Sequence, residues 1–581
     1  MKPIAIFDTE CYNGYYLAAF LDIETGKVKC VEQREGVAFD RMAVLKILKR
    51  YTVVGFNSKE YDLPLMAAAV MGGHDLKKLS DAIIRFNLQP WEFYDKYNLP
   101  ELPADSIDLI EVAPGIASLK LYGARLHSKT LWDLPYKTDE ILTPEQMDEV
   151  REYCINDLQT TYDLYKKLKP QLDLREQMSI KYNIDLRSKS DAQIAEAVIG
   201  HELRAAGVFV KRPTLNEGYN FKYEAPGYLK GQLNGLVDEI EGLTFKLSDK
   251  GSAVLPEELA GRDVTIGSTT YRMGIGGLHS REKALAIKSN KLSSIDVASY
   301  YPTMIIKNKY YPEHLGKDFL QVYTTLYLER LKAKRNGNKV EADVKKILLN
   351  GTFGKLGSKW SIFYSPKMLI QITLTGQLNL LMLINSFETN GIKVHSANTD
   401  GLVVEAEDED LKKELIKQWE VMTGMTMEDD PVKALFARDV NTYVMVMGDK
   451  AKTKGYFALD NLAKNPHADI VIKAVVKYLT DGIPVEKTIR SCTDIRDFII
   501  CRTAKEGAMY QGKPLGRVVR WYYGKGLTDA ILTAERSAKV SESEGGKPIM
   551  TLPDVFPDDV DYDKYISIGY DDLKLIGVKN D

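Results

Sequence analysis

Cysteine pairs and long apolar runs are scarce in this chain of 581 residues. Its five cysteines are scattered, and no two of them form a C-x-x-C pair. This pattern argues against a disulfide framework or a zinc cluster, and it predicts reduced thiols in a cytoplasmic protein. The first apolar run, IAIF, is four residues long and ends at Asp8, so we expect neither a signal peptide nor a membrane span there.

An excess of positive charge is missing as well. The net charge is −3 and the isoelectric point is near 6.3, so no basic field covers the whole molecule to attract nucleic acid. Basic residues do gather locally, in residues 330–339 and 512–526. Each of these stretches is either a phosphate-binding patch or a solvated face.

The organisation is that of a soluble multidomain protein. Hydrophobic residues make up 44% and charged residues 27%, and the chain is too long for one core, so two to four domains are expected. The N-terminal part mixes short apolar strands with helical patterns, which predicts an α/β domain. A helical pattern over residues 144–172 has Pro144 near its start and Pro170 near its end, and we expect a domain boundary at residues 170–190.

A pair of acids, Asp8 and Glu10, stands at the end of the first predicted strand. Residues two apart on a strand share a face, so both carboxylates can point to one place. Two close carboxylates repel each other unless a cation lies between them. The pair therefore predicts a metal site, and the alternative is a solvated strand end.

Further polar groups follow in an ordered series. Asn57, Tyr61 and Asp62 come directly after a second predicted strand. Tyr153 and Asp157 are four apart on a predicted helix, where they share a face. The series D-x-E, N-x3-Y-D and Y-x3-D resembles the three exonuclease motifs of the DnaQ-like 3′–5′ proofreading domain. An α/β domain with acids placed by chance is the alternative.

This resemblance implies an RNase H-like fold that hydrolyses a DNA 3′ end with two divalent metal ions. In such a site one ion activates the attacking water and both stabilise the transition state. The implied metal ligands are four carboxylates: Asp8, Glu10, Asp62 and Asp157. Tyr153 is implied to position the water. The implied DNA contacts are Asn57, Tyr61 and Lys129, the last of which lies in HSKTLWDLPY.

A further acid, Asp296, ends a short predicted strand in SSIDVASYYPTMI. A lone acid at a strand end is more often solvated than catalytic, but this stretch resembles motif A of family B DNA polymerases, D-x-x-S-L-Y-P-S. Tyr300 replaces the leucine of that pattern and Thr303 its last serine. The resemblance implies that Asp296 binds both metal ions of a polymerase site. It also implies that Ser299, Tyr300 and Tyr301 lie at the nucleotide, with Tyr301 under the sugar to reject a 2′-hydroxyl.

A stripe of three side chains follows on a predicted helix in ADVKKILLNGTFGKLGS. Lys346, Asn350 and Phe353 are spaced i, i+4 and i+7, and a cation, an amide and a ring in a row suit a triphosphate and a base. The stretch resembles motif B, K-x3-N-S-x-Y-G, with Gly351 and Phe353 in place of the serine and the tyrosine. An ordinary amphipathic helix is the alternative.

Two basic residues upstream, Arg330 and Lys334, are four apart in the helical pattern YLERLKAKRNG. The family resemblance implies that basic residues on this helix grip the phosphates of the incoming nucleotide. A solvated basic face is the alternative.

The stretch SANTDGLVV predicts a tight hairpin with its turn at residues 398–401. It resembles motif C, usually D-T-D-S, with Asn398 at the first aspartate, Asp400 at the second and Gly401 at the serine. Asp296, Asp400 and a triphosphate can supply the ligands for two Mg²⁺ ions. Because Asn398 removes one negative charge, we expect weaker metal loading at this site.

Matches farther along the chain are looser. In NTYVMV, Tyr443 stands at the tyrosine of the family's K-x-Y element and Asn441 stands at its lysine. Lys454 is expected to take over some of the DNA contact. Arg517 and Arg520 lie beside aromatic residues in GRVVRWYYGKG, a composition that suits the backbone phosphates of a duplex.

Together these motifs predict an α/β and α+β multidomain chain, in which an RNase H-like exonuclease domain precedes a right-hand polymerase with palm, fingers and thumb. The predicted divisions are 1–175 for the exonuclease, 176–295 for a linker and the start of the palm, 296–315 for motif A, 316–358 for the fingers, 359–450 for the rest of the palm, and 451–581 for the thumb and C-terminal region.

The predicted function is template-directed DNA synthesis from a primer 3′-hydroxyl, with 3′–5′ proofreading, by a compact phage- or plasmid-type family B polymerase. Only 50 positions separate Asp296 from Lys346, which favours a nucleic-acid primer over a protein primer. Expected ligands are primed DNA, dNTPs and two Mg²⁺ or Mn²⁺ ions per site. We expect a monomer in the cytoplasm, of the host if the protein is viral, with no membrane partner and with accessory replication proteins left open.

Two alternatives compete with this prediction. In the first, the chain is an exonuclease whose polymerase half is inactive or weak and serves to bind DNA, an interpretation that Asn398 supports. In the second, the chain is a non-catalytic DNA-binding or scaffold protein, and its paired acids are coincidental. Metal-dependent nucleotide binding would separate the second alternative from the others.

Overall fold

A computed structural model describes residues 2–216, 218–459 and 462–578. It divides into two compact units. The first unit comprises Met1–Ser188, Asp460–Val471 and Ile489–Ile566, and the second comprises Lys189–Leu459, Ile472–Thr488 and Ser567–Asp581. The expected mixed α/β, multidomain architecture is therefore observed.

The N-terminal segment of the first unit contains five strands and six helices. The strands are β1 (Ile4–Tyr12), β2 (Tyr15–Asp22), β3 (Val28–Gln33), β4 (Thr52–Gly55) and β5 (Asp105–Asp108). The helices are α1 (Arg41–Arg50), α2 (Asp62–Met71), α3 (Leu76–Phe86), α4 (Pro90–Lys96), α5 (Leu119–Arg125) and α6 (Pro144–Tyr182).

The five strands form one sheet in the order β3-β2-β1-β4-β5. Strands β1, β2 and β3 pair antiparallel, whereas β4 and β5 run parallel to β1. Both faces of the sheet are buried: Phe7 and Val53 belong to one core, and Ile6 and Val54 to the other. This alternation arises because successive strand residues point to opposite faces.

Helix α6 is longer than the sequence pattern predicts. It begins at Pro144 behind a capping box formed by Thr143 and Gln146. It passes through Pro170 and ends only at Tyr182, because the buried stripe of the helix continues beyond the proline. The domain boundary predicted at residue 175 therefore falls inside this helix, and the first stretch of the unit extends to Ser188.

The next segment of the chain, residues 189–459, belongs to the second unit and contains seven helices and twelve strands. The helices are α7 (Asp191–Ala205), α8 (Leu236–Gly242), α9 (Tyr300–Lys307), α10 (Gly316–Arg335), α11 (Lys339–Lys355), α12 (Pro366–Thr389) and α13 (Glu409–Thr423). The strands are β6 (Asn220–Phe221), β7 (Phe245–Leu247), β8 (Ala253–Val254), β9 (Asp263–Ile266), β10 (Thr269–Arg272), β11 (His279–Ser280), β12 (Leu285–Val297), β13 (Lys393–Asn398), β14 (Gly401–Glu405), β15 (Met427–Asp439), β16 (Thr442–Met447) and β17 (Lys450–Lys454).

Nine of these strands form one sheet in the order β17-β16-β15-β12-β14-β13-β11-β10-β9. The long strand β12 lies between β15 and the β13–β14 hairpin, and it pairs antiparallel with both β14 and β15. Among the described residues, one helix, α12, is long and apolar enough to cross a membrane. Most of it is buried within the protein, as expected for a core helix.

The remaining described residues, 462–578, contain three helices and four strands. The helices are α14 (Asp469–Asp481), α15 (Val485–Arg490) and α16 (Tyr562–Leu575), and the strands are β18 (Ile500–Tyr510), β19 (Lys513–Tyr523), β20 (Leu532–Thr533) and β21 (Gly546–Pro548). The four strands form a sheet of their own in the order β20-β18-β19-β21.

This last sheet corrects the prediction of one C-terminal region over residues 451–581. Its strands belong to the first unit, together with the N-terminal α/β segment. The buried side chain of Arg520 helps to explain the association, because it donates hydrogen bonds to the carbonyl oxygens of Ser128, Lys129, Ile549 and Met550. These contacts join segments about 400 residues apart, which a linear reading of motifs could not foresee.

Candidate active sites

Four predicted carboxylates meet at the end of β1 in the first unit. Asp8 and Glu10 project from one face of this strand, Asp62 is the first residue of α2, and Asp157 lies on α6. The charges of Glu10, Asp62 and Asp157 all act on Asp8. In addition, ligand atoms of Asp8, Glu10 and Cys154 lie within 4.8 Å of one another.

Burial and mutual repulsion set the acidity of this cluster. Burial, followed by the charge of Asp62, raises the pKa of Asp8 well above its ordinary value. Burial and the neighbouring acids raise the pKa of Glu10 to about 8. Burial raises the pKa of Asp62 to about 7 and that of Asp157 to about 6. Oxygen ligands with unbalanced negative charge fit divalent cations such as Mg²⁺ or Mn²⁺.

Two residues outside the predicted motifs hold Asp62 and its loop in place. The Thr9 hydroxyl donates a hydrogen bond of 2.5 Å to Asp62. Asp108 is buried, and its carboxylate accepts hydrogen bonds from the backbone N–H groups of Asn57 at 2.8 Å and Lys59 at 2.9 Å. Asn57 has a φ of 59°, a left-handed conformation that asparagine tolerates. A sequence reading missed Asp108 because it acts through backbone groups.

Tyr153 is oriented by three neighbours. Its hydroxyl donates a hydrogen bond to Asp157, and its ring packs edge-on against Trp132 with centroids 6.2 Å apart. The Lys120 ammonium lies 5.0 Å from the centroid of the Tyr153 ring. The positive charge of Lys120 also opposes the rise in pKa of Glu10 and Asp157 that burial causes.

The lysine predicted to contact phosphate, Lys129, is instead paired with Asp554 on the surface. Its neighbour in this comparison, Lys120, is paired with Asp133 and faces the carboxylates. Lys120 carries no motif of its own, and only the placement of α5 beside α6 shows its role. Tyr61 uses its hydroxyl in a 2.8 Å hydrogen bond with Ser80.

In the second unit, Asp296 and Asp400 come from adjacent strands. The β13–β14 hairpin forms as predicted, with Asn398 paired to Gly401 across a two-residue turn. Asp296, at the end of β12, lies directly opposite Gly401. The backbone N–H of Val297 donates a 2.8 Å hydrogen bond to the Asp400 carbonyl oxygen, which ties the turn to the end of β12.

Glycines let two segments approach this turn closely. A Cβ atom on Gly401 would overlap the Asp296 carboxylate, so the serine of the motif C pattern does not fit here without displacing Asp296. A Cβ atom on Gly277 would lie 2.6 Å from Cα of Thr399. The Gln377 side chain fixes the glycine segment by donating hydrogen bonds to the carbonyl oxygens of Gly274 and Gly276. The sequence analysis did not identify this segment.

Asn398 has a structural partner that an aspartate could not keep. Its side-chain nitrogen donates a 2.7 Å hydrogen bond to the carbonyl oxygen of Val440 and lies 3.3 Å from Oδ1 of Asn441. The two positions at which the family patterns have an acid and a base therefore carry contacting amides in this chain. The charge missing at Asn398 is matched by the charge missing at Asn441.

A cavity of about 410 Å³ opens at these carboxylates. The charged and aromatic side chains that line it, together with Asn398, are Asp296, Asp400, Tyr443, Lys452 and Lys454. Burial and the charge of Asp296 raise the pKa of Asp400, and both lysines oppose this rise. Tyr443 and Lys454 were predicted for this region, whereas Lys452 was missed because β17 carries no motif.

One acid beside the cavity was also missed. Glu428 lies directly opposite Asp296 on β15, and its side chain is exposed. Directly opposed residues of antiparallel strands share a face, so Glu428 adds negative charge near Asp296. The donor set of carboxylates around an open cavity fits Mg²⁺ or Mn²⁺ here as well.

Motifs A and B meet through their rings. Tyr301 stacks on Phe353 with centroids 4.2 Å apart and planes 22° from parallel. Lys346 and Asn350 are both exposed on α11, one and two turns before Phe353. The nucleotide contact predicted for Tyr300 is wrong, because its ring is 4% exposed and its hydroxyl donates a 2.5 Å hydrogen bond to the Gly376 carbonyl oxygen.

The two basic residues of α10 differ in their surroundings. Arg330 is buried, and its Nη1 donates a 2.6 Å hydrogen bond to Ser299 Oγ, which joins α10 to motif A. Ser299 has a φ of 51°, so the chain turns sharply between β12 and α9. Lys334, one helical turn beyond Arg330, is exposed.

The DNA contact predicted for Arg520 is wrong. Its side chain is 0% exposed, and its donors are used by four backbone carbonyl oxygens. Burial lowers the pKa of Arg520 to about 10. Arg517, three residues earlier, keeps an exposed side chain.

Comparison with known proteins adds one solved structure. No family model matches the chain, and no curated protein matches it. The chain is similar to the family B DNA polymerase from the hyperthermophilic archaeon Pyrobaculum calidifontis, with 14% sequence identity and a TM-score of 0.42. The match covers 100% of this chain and 79% of that structure's chain. The functional assignment below rests on the residues of the two sites.

Proposed function

We propose that this chain is a DNA-directed DNA polymerase of family B with a 3′–5′ exonuclease activity. The observation that carries the proposal is the arrangement in the second unit, where Asp296 and Asp400 converge on one cavity and Tyr301 of motif A stacks on Phe353 of motif B. Residues from three separate motifs thus occupy the positions that the family resemblance implies. The substrates are a primed DNA template and dNTPs.

In the polymerase site, the protein's own groups position the reactants. The exposed stripe of Lys346 and Asn350 suits a triphosphate and a base, and Arg330 holds the turn at Ser299 from behind. The stacked pair of Tyr301 and Phe353 offers a flat surface for a sugar and base. Two divalent ions held by Asp296 and Asp400 would lower the pKa of the primer 3′-hydroxyl and neutralise charge on the leaving pyrophosphate.

In the first unit, the carboxylate cluster supports hydrolysis of a DNA 3′ end. The strand order, with three antiparallel strands and two parallel ones, supports the RNase H-like interpretation. Divalent ions held by the four acids would supply an activated water and stabilise the phosphate charge. Tyr153, fixed by Asp157 and Trp132, is placed to orient that water, and Asn57 and Tyr61 to hold the DNA end.

A second candidate function is an exonuclease with a weak or inactive polymerase half. Asn398 favours it, because one carboxylate of motif C is absent. The contact between Asn398 and Asn441 weakens this argument, since the pair conserves the net charge of the site. For the remaining properties we propose a compact phage- or plasmid-type enzyme that acts as a monomer in the cytoplasm, takes a nucleic-acid primer and uses Mg²⁺ or Mn²⁺.

The test is extension of a labelled primer on a DNA template by the full chain carrying Asp8→Ala and Glu10→Ala. These changes should stop degradation, so elongation with dNTPs and Mg²⁺ becomes visible. Asp400→Ala in this background should abolish elongation, whereas Asp410→Ala, an exposed acid in the first turn of α13, should not. Lack of elongation in Mg²⁺ and Mn²⁺, with 3′ trimming by the unaltered chain, would favour the second candidate.

A further inference from the structure

Lys452 places a positive charge against one of the two palm carboxylates. Its Nζ lies 3.8 Å from Asp296 Oδ2, with side-chain exposures of 50% and 35% respectively. Strand β17 sets this position, since Lys452 pairs with Met445 and Lys454 pairs with Tyr443 on β16. Lysines two apart on a strand share a face, and both line the 410 Å³ cavity.

The charges of this cavity are therefore partly balanced by the protein itself. Two aspartates and two lysines line it, and Asn398 contributes an amide where a third carboxylate would add negative charge. Glu428, opposite Asp296 on β15, supplies an additional acid beside the cavity. An ammonium group within 4 Å of a carboxylate lies where a divalent cation bound to that carboxylate would also lie.

We propose that Lys452 is the resident counter-ion of Asp296, and that a divalent cation must displace it to bind there. The inference rests on the proposed polymerase function, because it concerns the metal site of that activity. In the absence of nucleotide, Lys452 keeps divalent cations weakly bound. A bound triphosphate adds negative charge, which attracts the cation and the displaced ammonium group together.

The size of the effect follows from the charges involved. A unit charge and a divalent cation about 5 Å apart repel each other, even in water, by enough to change a binding constant by about tenfold. Half-exposed Lys452 has room to move, so the measured effect should be several-fold to about tenfold. The alternative role for Lys452 is direct contact with phosphates of DNA or dNTP, which would leave metal binding without nucleotide unchanged.

The test is a Mn²⁺ titration followed by electron paramagnetic resonance, on the full chain with Asp8→Ala and Glu10→Ala to remove the first-unit site. Lys452→Ala, without nucleotide, should bind Mn²⁺ several-fold more tightly than its parent. Lys452→Met should do the same while keeping most of the side-chain volume. Lys450→Ala, two residues earlier on the exposed side of β17, should leave the affinity unchanged.

Unchanged or weaker Mn²⁺ binding in both Lys452 variants would overturn the inference. Asp296→Asn then separates the two levels of the argument. If Asp296→Asn abolishes the bound Mn²⁺ while the Lys452 variants behave like their parent, only the role of Lys452 is wrong. If Asp296→Asn changes nothing in any background, the metal site of the proposed function is wrong as well.

Discussion

The side-chain nitrogen of Asn398 donates a 2.7 Å hydrogen bond to the backbone carbonyl oxygen of Val440. This bond ties the motif C hairpin to the turn between β15 and β16. A carboxylate at the same position has no proton to donate at neutral pH, so it would face the carbonyl oxygen with a second acceptor. The amide therefore has a structural reason to be here.

Asn398→Asp should destabilise the protein by about 1–3 kcal/mol at pH 7, since it leaves two acceptors in contact. The free energy of unfolding, measured by urea denaturation, checks this. The deficit should shrink near pH 4, where a protonated aspartate can donate. Asn336→Asp, at an exposed position after α10, is the control and should change stability by less than about 0.5 kcal/mol. An Asn398→Asp protein as stable as its parent would contradict the structural role.

Asn441→Lys should partly rescue Asn398→Asp. The two side chains lie within 3.3 Å, so the double variant would place an ammonium group beside the new carboxylate. We expect the double variant to be more stable than Asn398→Asp alone, and a double-mutant cycle gives the coupling energy. Additive effects of the two changes would show that the side chains do not interact.

Gly401→Ser should reduce primer extension by tenfold or more, on the order of 1.4 kcal/mol in transition-state stabilisation. The reason is steric, because a Cβ atom at this position overlaps the Asp296 carboxylate and would push it away from Asp400. Gly242→Ala, where a Cβ atom meets open space, is the matched control. Unaltered extension by Gly401→Ser would show that Asp296 can move without loss of activity.

The metal-free protein should lose stability as pH rises from 6 to 8. The pKa of Glu10 is raised to about 8, that of Asp62 to about 7 and that of Asp157 to about 6, so the native state binds more protons than the unfolded chain. Raised carboxyl pKa values favour folding at low pH, and that contribution disappears as pH rises through the native values. Thermal unfolding in EDTA should show the fall, Asp62→Asn should reduce it, and saturating Mg²⁺ should oppose it. A melting temperature independent of pH over this range would contradict the shifts.

Lys120→Ala should move the pH dependence of exonuclease activity to higher pH. Lys120 opposes the raised pKa values of Glu10 and Asp157, so its removal lets both rise further. Metal binding requires the ionised carboxylates, and more alkaline conditions are then needed to form them. The measurement is kcat/KM for 3′ trimming across pH 6–9. Lys129→Ala, at an exposed lysine paired with Asp554, should leave the profile in place.

Arg520 and Arg517 should behave oppositely although they are three residues apart. Arg520→Ala removes a buried side chain that bonds four carbonyl oxygens and should cost about 3–5 kcal/mol of stability. Arg517→Ala changes an exposed side chain and should leave stability within about 0.5 kcal/mol. If Arg517 contacts DNA phosphate as proposed, its removal should weaken DNA binding and lower the salt dependence. Chemical denaturation and salt titrations of DNA binding distinguish the two roles.

The sequence by itself determined the local parts of both sites. The two-residue spacing of Asp8 and Glu10 puts both acids on one face of a strand, because side chains alternate along β structure. The four-residue spacing of Tyr153 and Asp157 likewise fixes a shared helix face. The turn residues of the motif C hairpin predicted its shape correctly, because local backbone preferences dominate in a two-residue turn.

Only the tertiary structure decided which side chains surround these motifs. Lys120, Asp108 and Lys452 act through contacts with residues far away in sequence, so no local spacing marks them. The same reason explains the misassigned Arg520 and Tyr300: composition shows a basic or aromatic residue, but burial depends on what packs over it. Asn398 looked like a lost ligand in the sequence, and the carbonyl oxygen of Val440, 42 positions away, shows why an amide is there.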